Sequence, residues 1–187
     1  MTEALWALGR GTGLVALVMF TLTLVLGVVT RSGRDVGGLS RFGLNEVHRT
    51  AALSGVALIA VHVGTLFFDP YAQLELVDLV APFLGTYRPF WLGLGTLAVD
   101  LLLIVTVVSL LRDKVGPRVF KAVHLLTYAL WPVALVHSLG TGTDAGSVWM
   151  TALAAVCSLA VATAVGWRLL PSYAGRGHDR ATRVVAR

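Results

Sequence analysis

Five long apolar stretches, separated by short polar segments, dominate the chain. Crossing the roughly 30 Å hydrocarbon core of a bilayer takes about 20 residues of α-helix, and each stretch reaches about that length. They cover approximately residues 11–30, 45–68, 90–111, 119–140 and 147–170. The pattern predicts an all-α integral membrane protein, built as a bundle of five transmembrane helices. We expect one domain over residues 1–175, followed by a short basic tail over residues 176–187.

Composition strengthens the membrane interpretation. Only 13% of the residues are charged and 56% are hydrophobic, whereas about 25% charged is usual for soluble domains. The first apolar stretch is too long for a signal peptide, and Glu3 precedes Arg10, so we expect a retained helix. The net charge of +5 is spread over short loops rather than over one folded face, which argues against a nucleic-acid partner. The expected partner is the lipid bilayer.

Basic and acidic connections alternate along the chain. The connections after the first and third apolar stretches, and the C-terminal tail, are rich in arginine and lysine. Residues 69–89 and 141–146 instead carry aspartate or glutamate with few cations. Short loops rich in lysine and arginine stay in the cytoplasm. We therefore expect a multi-pass protein of the cell membrane, with its N-terminus outside and its C-terminus in the cytoplasm.

Four histidines lie inside the apolar stretches, two in the second stretch and two in the fourth. His48 and His62 are fourteen residues apart, and His124 and His137 are thirteen apart. These spacings correspond to about 21 Å and 19.5 Å along a helix. The two stretches are separated by one crossing, so they run in the same direction and the depths match. We call His48 and His124 the first pair, and His62 and His137 the second pair.

The thirteen-residue spacing poses a geometric problem. Fourteen residues are nearly four full turns, so His48 and His62 share a face, whereas an ideal helix turns His137 about 140° away from His124. Pro132 lies between the latter two, and a proline removes a backbone hydrogen bond and bends a helix. We therefore predict a local distortion in the fourth helix.

Paired histidines at two depths are typical of ligands to two haems. A planar macrocycle between parallel helices takes one imidazole from each side, and its apolar body suits surrounding leucine and valine. Structural zinc would need four ligands within about 2 Å of one ion, which the separations forbid. A transporter of protons or metal is the alternative, although Asp100 is the one carboxylate available inside the spans. A haem-bearing membrane anchor for another subunit is a further alternative.

Two segments carry a family resemblance: "HRTAALSGVALIAVH" and "HLLTYALWPVALVH". With "DPY", "APF" and "VHSLGTGTD", they make residues 40–145 resemble the ferric reductase-like transmembrane domain family, in its compact actinobacterial form. That family includes the membrane parts of NADPH oxidases and ferric reductases. The resemblance implies electron transfer across the membrane through two b-type haems. His48 and His124 would hold the inner haem, and His62 and His137 the outer one.

The larger oxidases of this family carry their own flavin and nicotinamide domain. No G-x-G-x-x-G fingerprint occurs in this sequence, so we expect a separate electron donor or acceptor protein, such as a flavoprotein. The donor, the acceptor, the direction of electron flow and the oligomeric state stay open, as does the question of whether the chain is itself an enzyme.

Two arginines are candidates to bind haem propionates, because guanidinium groups match carboxylates. Arg49 follows His48 directly, and Arg88 lies on the side of the second pair. Arg41, Arg112, Arg118 and Lys121 lie at the same level, and ordinary positive-inside charge is the alternative for them more than for Arg49.

Two further candidates lie within the spans. Trp131 is about midway between His124 and His137, so it is either a stepping position for electrons between haems or a core-packing residue. We expect Asp100 to accept a hydrogen bond from the second ring nitrogen of an axial histidine, more readily an outer one. A neutral Asp100 bonded to Thr96 or to a carbonyl, or a proton path, are the alternatives.

Two connections also have candidate roles. Residues 71–85 show apolar positions at helical spacing, which predicts a short interfacial helix over the outer haem. Asp144 is placed either to meet a cationic acceptor or simply to form the turn between two helices.

Overall fold

The computed structural model describes residues 2–33, 38, 40–70, 72, 74–141, 144, 146–170 and 173. The protein is 84% helical, and its described part contains no strand. The helices are α1 Thr2–Ser32, α2 Arg41–Phe67, α3 Leu76–Val80, α4 Pro89–Leu110, α5 Arg112–Val115, α6 Pro117–His124, α7 Thr127–Thr141 and α8 Val148–Leu169. Five of the described segments are long and apolar enough to cross a membrane: α1, α2, α4, α6 with α7, and α8. The predicted five-helix membrane architecture is thus confirmed, while the predicted tail, residues 176–187, lies outside the described residues.

Local sequence explains where four of the eight described helices begin. The hydroxyl of Ser40 accepts a hydrogen bond from the Gly43 amide at 3.3 Å and caps α2, and Ser147 caps α8 in the same way. Pro89 and Pro117 occupy first-turn positions of α4 and α6, where a missing N–H has no cost. α1 begins nine residues before the predicted start because the helix continues through its polar first turns.

The helices pack as two close pairs. α1 lies against α2, and α4 lies against α7, while α1 also contacts α7 and α8. The core where α1, α7 and α8 meet includes Val28, Trp131 and Cys157. Trp131 donates from Nε1 to the Thr21 hydroxyl at 2.9 Å, which joins α7 to α1. Of the two histidine-bearing spans, α2 therefore packs mainly against α1, and α7 packs mainly against α4.

The fourth span is broken, as its thirteen-residue spacing predicted. α6 ends at His124 and α7 begins at Thr127. Around the break, the amides of Leu126, Tyr128 and Ala129 bond to the carbonyl three residues back, as from Tyr128 to Leu125 at 3.1 Å. Such bonds belong to a helix of three residues per turn, so this stretch gains rotation over an ideal α-helix. The distortion begins a turn before Pro132, and its effect is to bring His124 and His137 toward the same neighbour.

A short helix lies over one end of the bundle, where an interfacial helix was predicted. α3 packs against α4, and the Thr96 hydroxyl donates to the main-chain carbonyl of Asp78. Asp78 is buried, and its carboxylate occupies the space that a Cβ on Gly85 would need. The close approach of Gly85 therefore fixes α3 and the following turn against the bundle.

Candidate functional site

The two rings of the first pair meet edge to face between α2 and α6. The ring centroids of His48 and His124 are 6.2 Å apart, and the ring planes make an angle of 67°. Phe120, one turn before His124, stacks on that ring at 5.1 Å. His48 and His124 are thus in contact, as expected from their predicted equal depth in the membrane.

The second pair lies in one cavity. His62 and His137 both line it, and it contains about 1270 Å³ of space between atoms, including its open mouth. Apolar side chains, chiefly leucine, form most of its wall, and most of them come from α1, α2, α4 and α7. Leu74, Asp78 and Leu79 of the α3 segment also line it. The interfacial helix predicted from residues 71–85 therefore contributes to the cavity that holds the second pair.

Three of the four imidazoles bond to main-chain carbonyl oxygens of neighbouring helices. The Nδ1 partners are Thr23 for His48 at 2.9 Å, Gly9 for His62 at 2.6 Å and Trp91 for His137 at 2.8 Å. A carbonyl oxygen can only accept, so Nδ1 carries the proton in each case. The opposite nitrogen, Nε2, is consequently unprotonated and available as a ligand.

A glycine stands one turn after each acceptor carbonyl, against the histidine ring. A Cβ added to it would lie 2.8 Å from the ring of His62 at Gly13, 3.2 Å from that of His48 at Gly27 and 2.6 Å from that of His137 at Gly95. In each case the glycine is four residues after the residue whose carbonyl accepts. The missing side chain lets the imidazole reach the carbonyl. We call each carbonyl with its glycine a glycine window.

The spacing of two glycines in the sequence indicates these windows. Gly13 and Gly27 are fourteen residues apart, as are His48 and His62. α1 and α2 are neighbouring, sequential helices that run in opposite directions, so equal spacings place a glycine opposite each histidine. The acceptor carbonyls themselves are main-chain atoms, and no residue type indicates them.

His124 differs from the other three histidines. Its Nδ1 is buried and has no hydrogen-bond partner in the described part of the chain. The first pair is therefore supported on the α2 side by Thr23 and Gly27, and on the α6 side only by the stacked ring of Phe120.

An ion pair lies in the wall of the second cavity. Arg10 of α1 pairs with Asp144, and both residues line the cavity. The guanidinium of Arg10 also lies 4.7 Å from the centre of the Trp6 ring. Arg10 precedes the predicted first span, and we did not identify it as a site residue. Its position inside a helix that begins at Thr2 is what brings it to the cavity.

Arg88, the cation expected at the second haem, does not line the second cavity. It is exposed at the start of α4 and donates to the carbonyl of Gly140 at 3.0 Å. Arg49 is exposed beside His48. The structure thus places Arg10, rather than Arg88, within reach of a group in the second cavity.

Asp100 and Trp131 have different surroundings from the ones expected of partners of the haem site. The second ring nitrogens of three histidines bond to carbonyls, so Asp100 is not their acceptor. Trp131 packs in the core with its indole N–H on Thr21, and it does not line the second cavity. Core packing is therefore the role that its contacts support.

The residues present fit haem better than a bare metal ion. Two bonds of about 2 Å from imidazole nitrogens to a metal, plus about 1 Å to each ring centre, give a centroid separation of about 6 Å; the first pair has 6.2 Å. The described residues contain no group of three or more His, Cys, Asp or Glu side chains that could hold a metal ion. Two opposed imidazoles in an apolar surrounding suit a macrocycle that supplies its other ligands itself.

Comparison with known families agrees with this geometry. The family described as ferric reductase like transmembrane component matches residues 12–135. The match includes His48, His62 and His124, and it ends two residues before His137. No curated protein and no solved structure matches the chain significantly. With about two thirds of its length matched, the chain belongs to the ferric reductase-like transmembrane component family.

Proposed function

We propose that this protein is a membrane cytochrome b that carries electrons across the bilayer through two bis-histidine haems. His48 and His124 hold one haem, and His62 and His137 hold the other. The observation that carries the proposal is the presentation of the histidines: His48 and His124 in ring contact, His62 and His137 in one cavity, and three Nδ1 protons donated to carbonyls. The family suggests a membrane electron-transfer component and supports the same assignment.

Each haem, when bound, supplies an iron that accepts and releases one electron. The chain provides the ligands, their orientation and the surroundings. The windows at Thr23, Gly9 and Trp91 fix the tautomer, because a proton held on Nδ1 leaves Nε2 for the iron. Mostly apolar walls from four helices surround the second site.

The spacing of the two sites suits passage across a membrane. α2 is continuous from Arg41 to Phe67, so His48 and His62 are about 21 Å apart along its axis. That distance is most of the roughly 30 Å hydrocarbon core. An electron that enters beside one pair thus leaves beside the other, near the opposite surface.

The two ends of the bundle carry different charges, which supports the orientation and the partner. The end nearer the first pair has the cations Arg31, Arg41, Arg112, Lys114, Arg118 and Lys121. The end nearer the second pair has the acidic residues Glu3, Asp69, Glu75, Asp78 and Asp144 against the cations Arg10 and Arg88. By the positive-inside rule, the first end faces the cytoplasm and the N-terminus lies outside. A separate cytoplasmic or membrane-bound flavoprotein then exchanges electrons at the first pair.

Haem propionates need cations near each site. Arg49, exposed beside His48, serves the first haem, and Arg10 of the cavity wall serves the second. Each guanidinium offers a fork of donors that matches a carboxylate.

Purified protein tests the proposal directly. We expect two haems per chain, both reducible, with the spectrum of six-coordinate b-type haem. His62→Ala and His137→Ala should each remove the same haem, and His48→Ala the other. Fewer than two haems per chain, with no reducible spectrum, would instead favour a transporter that uses the histidines for protons or metal. Two haems that any soluble donor reduces only slowly, in a protein that copurifies with another subunit, would favour the membrane-anchor alternative.

A further inference from the structure

One imidazole of the four has no glycine window. His48, His62 and His137 each donate from Nδ1 to a carbonyl that lies one turn before a glycine. The Nδ1 of His124 is buried and has no partner in the described residues. The four ligands of the proposed haems are therefore not equivalent, and the difference lies within the first pair.

The sequence of α4 explains the missing window. On α1, the two glycines that face histidines are fourteen residues apart, Gly13 and Gly27. Thirteen and fourteen residues after Gly95 of α4 stand Val108 and Ser109. A side chain at the window position covers the carbonyl of the preceding turn. On α4, Gly95 therefore leaves the Trp91 carbonyl accessible to His137. No second glycine of α4 stands where it would leave a carbonyl accessible to His124.

The main chain around His124 also gives it little support. His124 is the last residue of α6, and the helix is broken at residues 125–126. The His124 ring contacts the ring of His48. The Phe120 ring stacks on it, and the planes of the Phe120 and His124 rings differ by 23°. Stacking limits rotation of the imidazole, but it adds no hydrogen bond to Nδ1.

A missing acceptor weakens an imidazole as a ligand. A hydrogen bond from the second ring nitrogen raises the basicity of the ligating one, and its loss costs about 10- to 100-fold in metal affinity. His48, on the opposite side of the same site, keeps its bond to Thr23. The bond from His124 is therefore the weakest of the four, and in the second site both imidazoles have acceptors.

We propose that His124 is an exchangeable ligand, so that the first site binds a small neutral ligand such as carbon monoxide when it is reduced. This rests on the proposed function. In the exchange, the Nε2–iron bond of His124 breaks and a carbon–iron bond forms, with no change in oxidation state. The break in the helix after His124 lets the ring move aside. The second site does not bind the ligand, because Gly9 and Trp91 hold both of its imidazoles.

Titration of the dithionite-reduced holoprotein with carbon monoxide tests this inference. We expect about half of the haem absorbance to shift. The affinity of the other haem for carbon monoxide should be lower by about 10- to 100-fold or more. The His137→Ala variant, which retains only the first haem, should shift completely. No shift in either protein overturns the inference, as does an equal shift of both haems. The haem count before titration reports the proposed function separately.

The C–O stretching frequency identifies which histidine leaves, because it depends on the ligand opposite the carbon monoxide. The two glycine variants are loaded with haem in the presence of imidazole, which takes the place of the missing ring until carbon monoxide displaces it. The wild-type frequency should equal that of His124→Gly prepared in this way, in which His48 is the remaining ligand. It should differ from that of the matched variant His48→Gly. A wild-type frequency that equals His48→Gly instead would show that His48 leaves, which contradicts the inference. Should either variant fail to fold, the wild-type titration still decides whether one site exchanges its ligand.

Discussion

The Nδ1 atom of His137 lies 2.8 Å from the main-chain carbonyl oxygen of Trp91, on a different helix. A histidine inside a membrane is thus held by a main-chain atom and not by another side chain. The contact is open because Gly95, one turn later, has no side chain over the carbonyl. The same arrangement recurs twice on α1. It makes the glycines as important to the site as the histidines that they face.

Gly13→Ala should remove the second haem. The added Cβ would lie 2.8 Å from the ring of His62, which would push the ring away from the Gly9 carbonyl and misplace Nε2. We expect the haem content, measured as pyridine haemochrome per chain, to fall from two to about one. Gly11→Ala is the matched control on the same helix, because nothing lies within 4 Å of its Cβ position. Equal haem content in both variants would contradict the role of the window.

The ion pair between Arg10 and Asp144 should stabilise the end of the bundle around the second cavity. The side chains are 19% and 40% exposed, so the pair is less screened than a surface pair, and we expect about 1 kcal/mol of coupling. A double-mutant cycle with Arg10→Gln and Asp144→Asn, measured by unfolding in detergent, gives this value. The pair of Arg112 with Asp113 is the control: its side chains are 69% and 93% exposed, and we expect no measurable coupling there. Similar values for both pairs would show that the cavity-wall position adds nothing.

Trp131→Phe should destabilise the protein without altering its haems. The change removes the hydrogen bond to Thr21 within the core of α1, α7 and α8, at a cost of about 1 kcal/mol. We expect unchanged haem content and unchanged spectra, with a lower free energy of unfolding. Thr21→Val should cost a similar amount, and the double variant less than the sum. A tenfold slower electron transfer between haems at unchanged stability would instead indicate a stepping role for Trp131.

Asp100→Asn should leave haem content, spectra and midpoint potentials unchanged. Three of the imidazoles have carbonyls as their Nδ1 acceptors, so none of these depends on Asp100. Potentiometric titration of both haems provides the measurement. Gly27→Ala serves as the positive control, because its added Cβ would lie 3.2 Å from the ring of His48 and disturb the bond to the Thr23 carbonyl. A shifted potential in Asp100→Asn alone would restore Asp100 as a partner of the site.

The parts of this structure that follow from side-chain chemistry were predictable. Apolar length indicated the five spans, and the spacing of His48, His62, His124 and His137 indicated two pairs at two depths and a distorted fourth span. What the sequence did not indicate depends on the main chain. The acceptors of the imidazoles are carbonyls, which every residue has, so the sequence drew attention to the carboxylate of Asp100 instead. Arg10 was overlooked because a polar segment before an apolar stretch does not show that the helix already includes it.

The order of the helices along the chain has a consequence for biosynthesis. Each histidine with an acceptor finds it on a helix that is translated earlier: Thr23 precedes His48, Gly9 precedes His62, and Trp91 precedes His137. An emerging histidine helix therefore meets its acceptor as soon as it enters the membrane, without waiting for the rest of the protein. The α1–α2 hairpin is complete when Phe67 has been made, and α4 is in place before α7 follows. The α1–α2 hairpin thus holds His48 and His62 with their tautomers set before α6 and α7, which carry His124 and His137, have been translated.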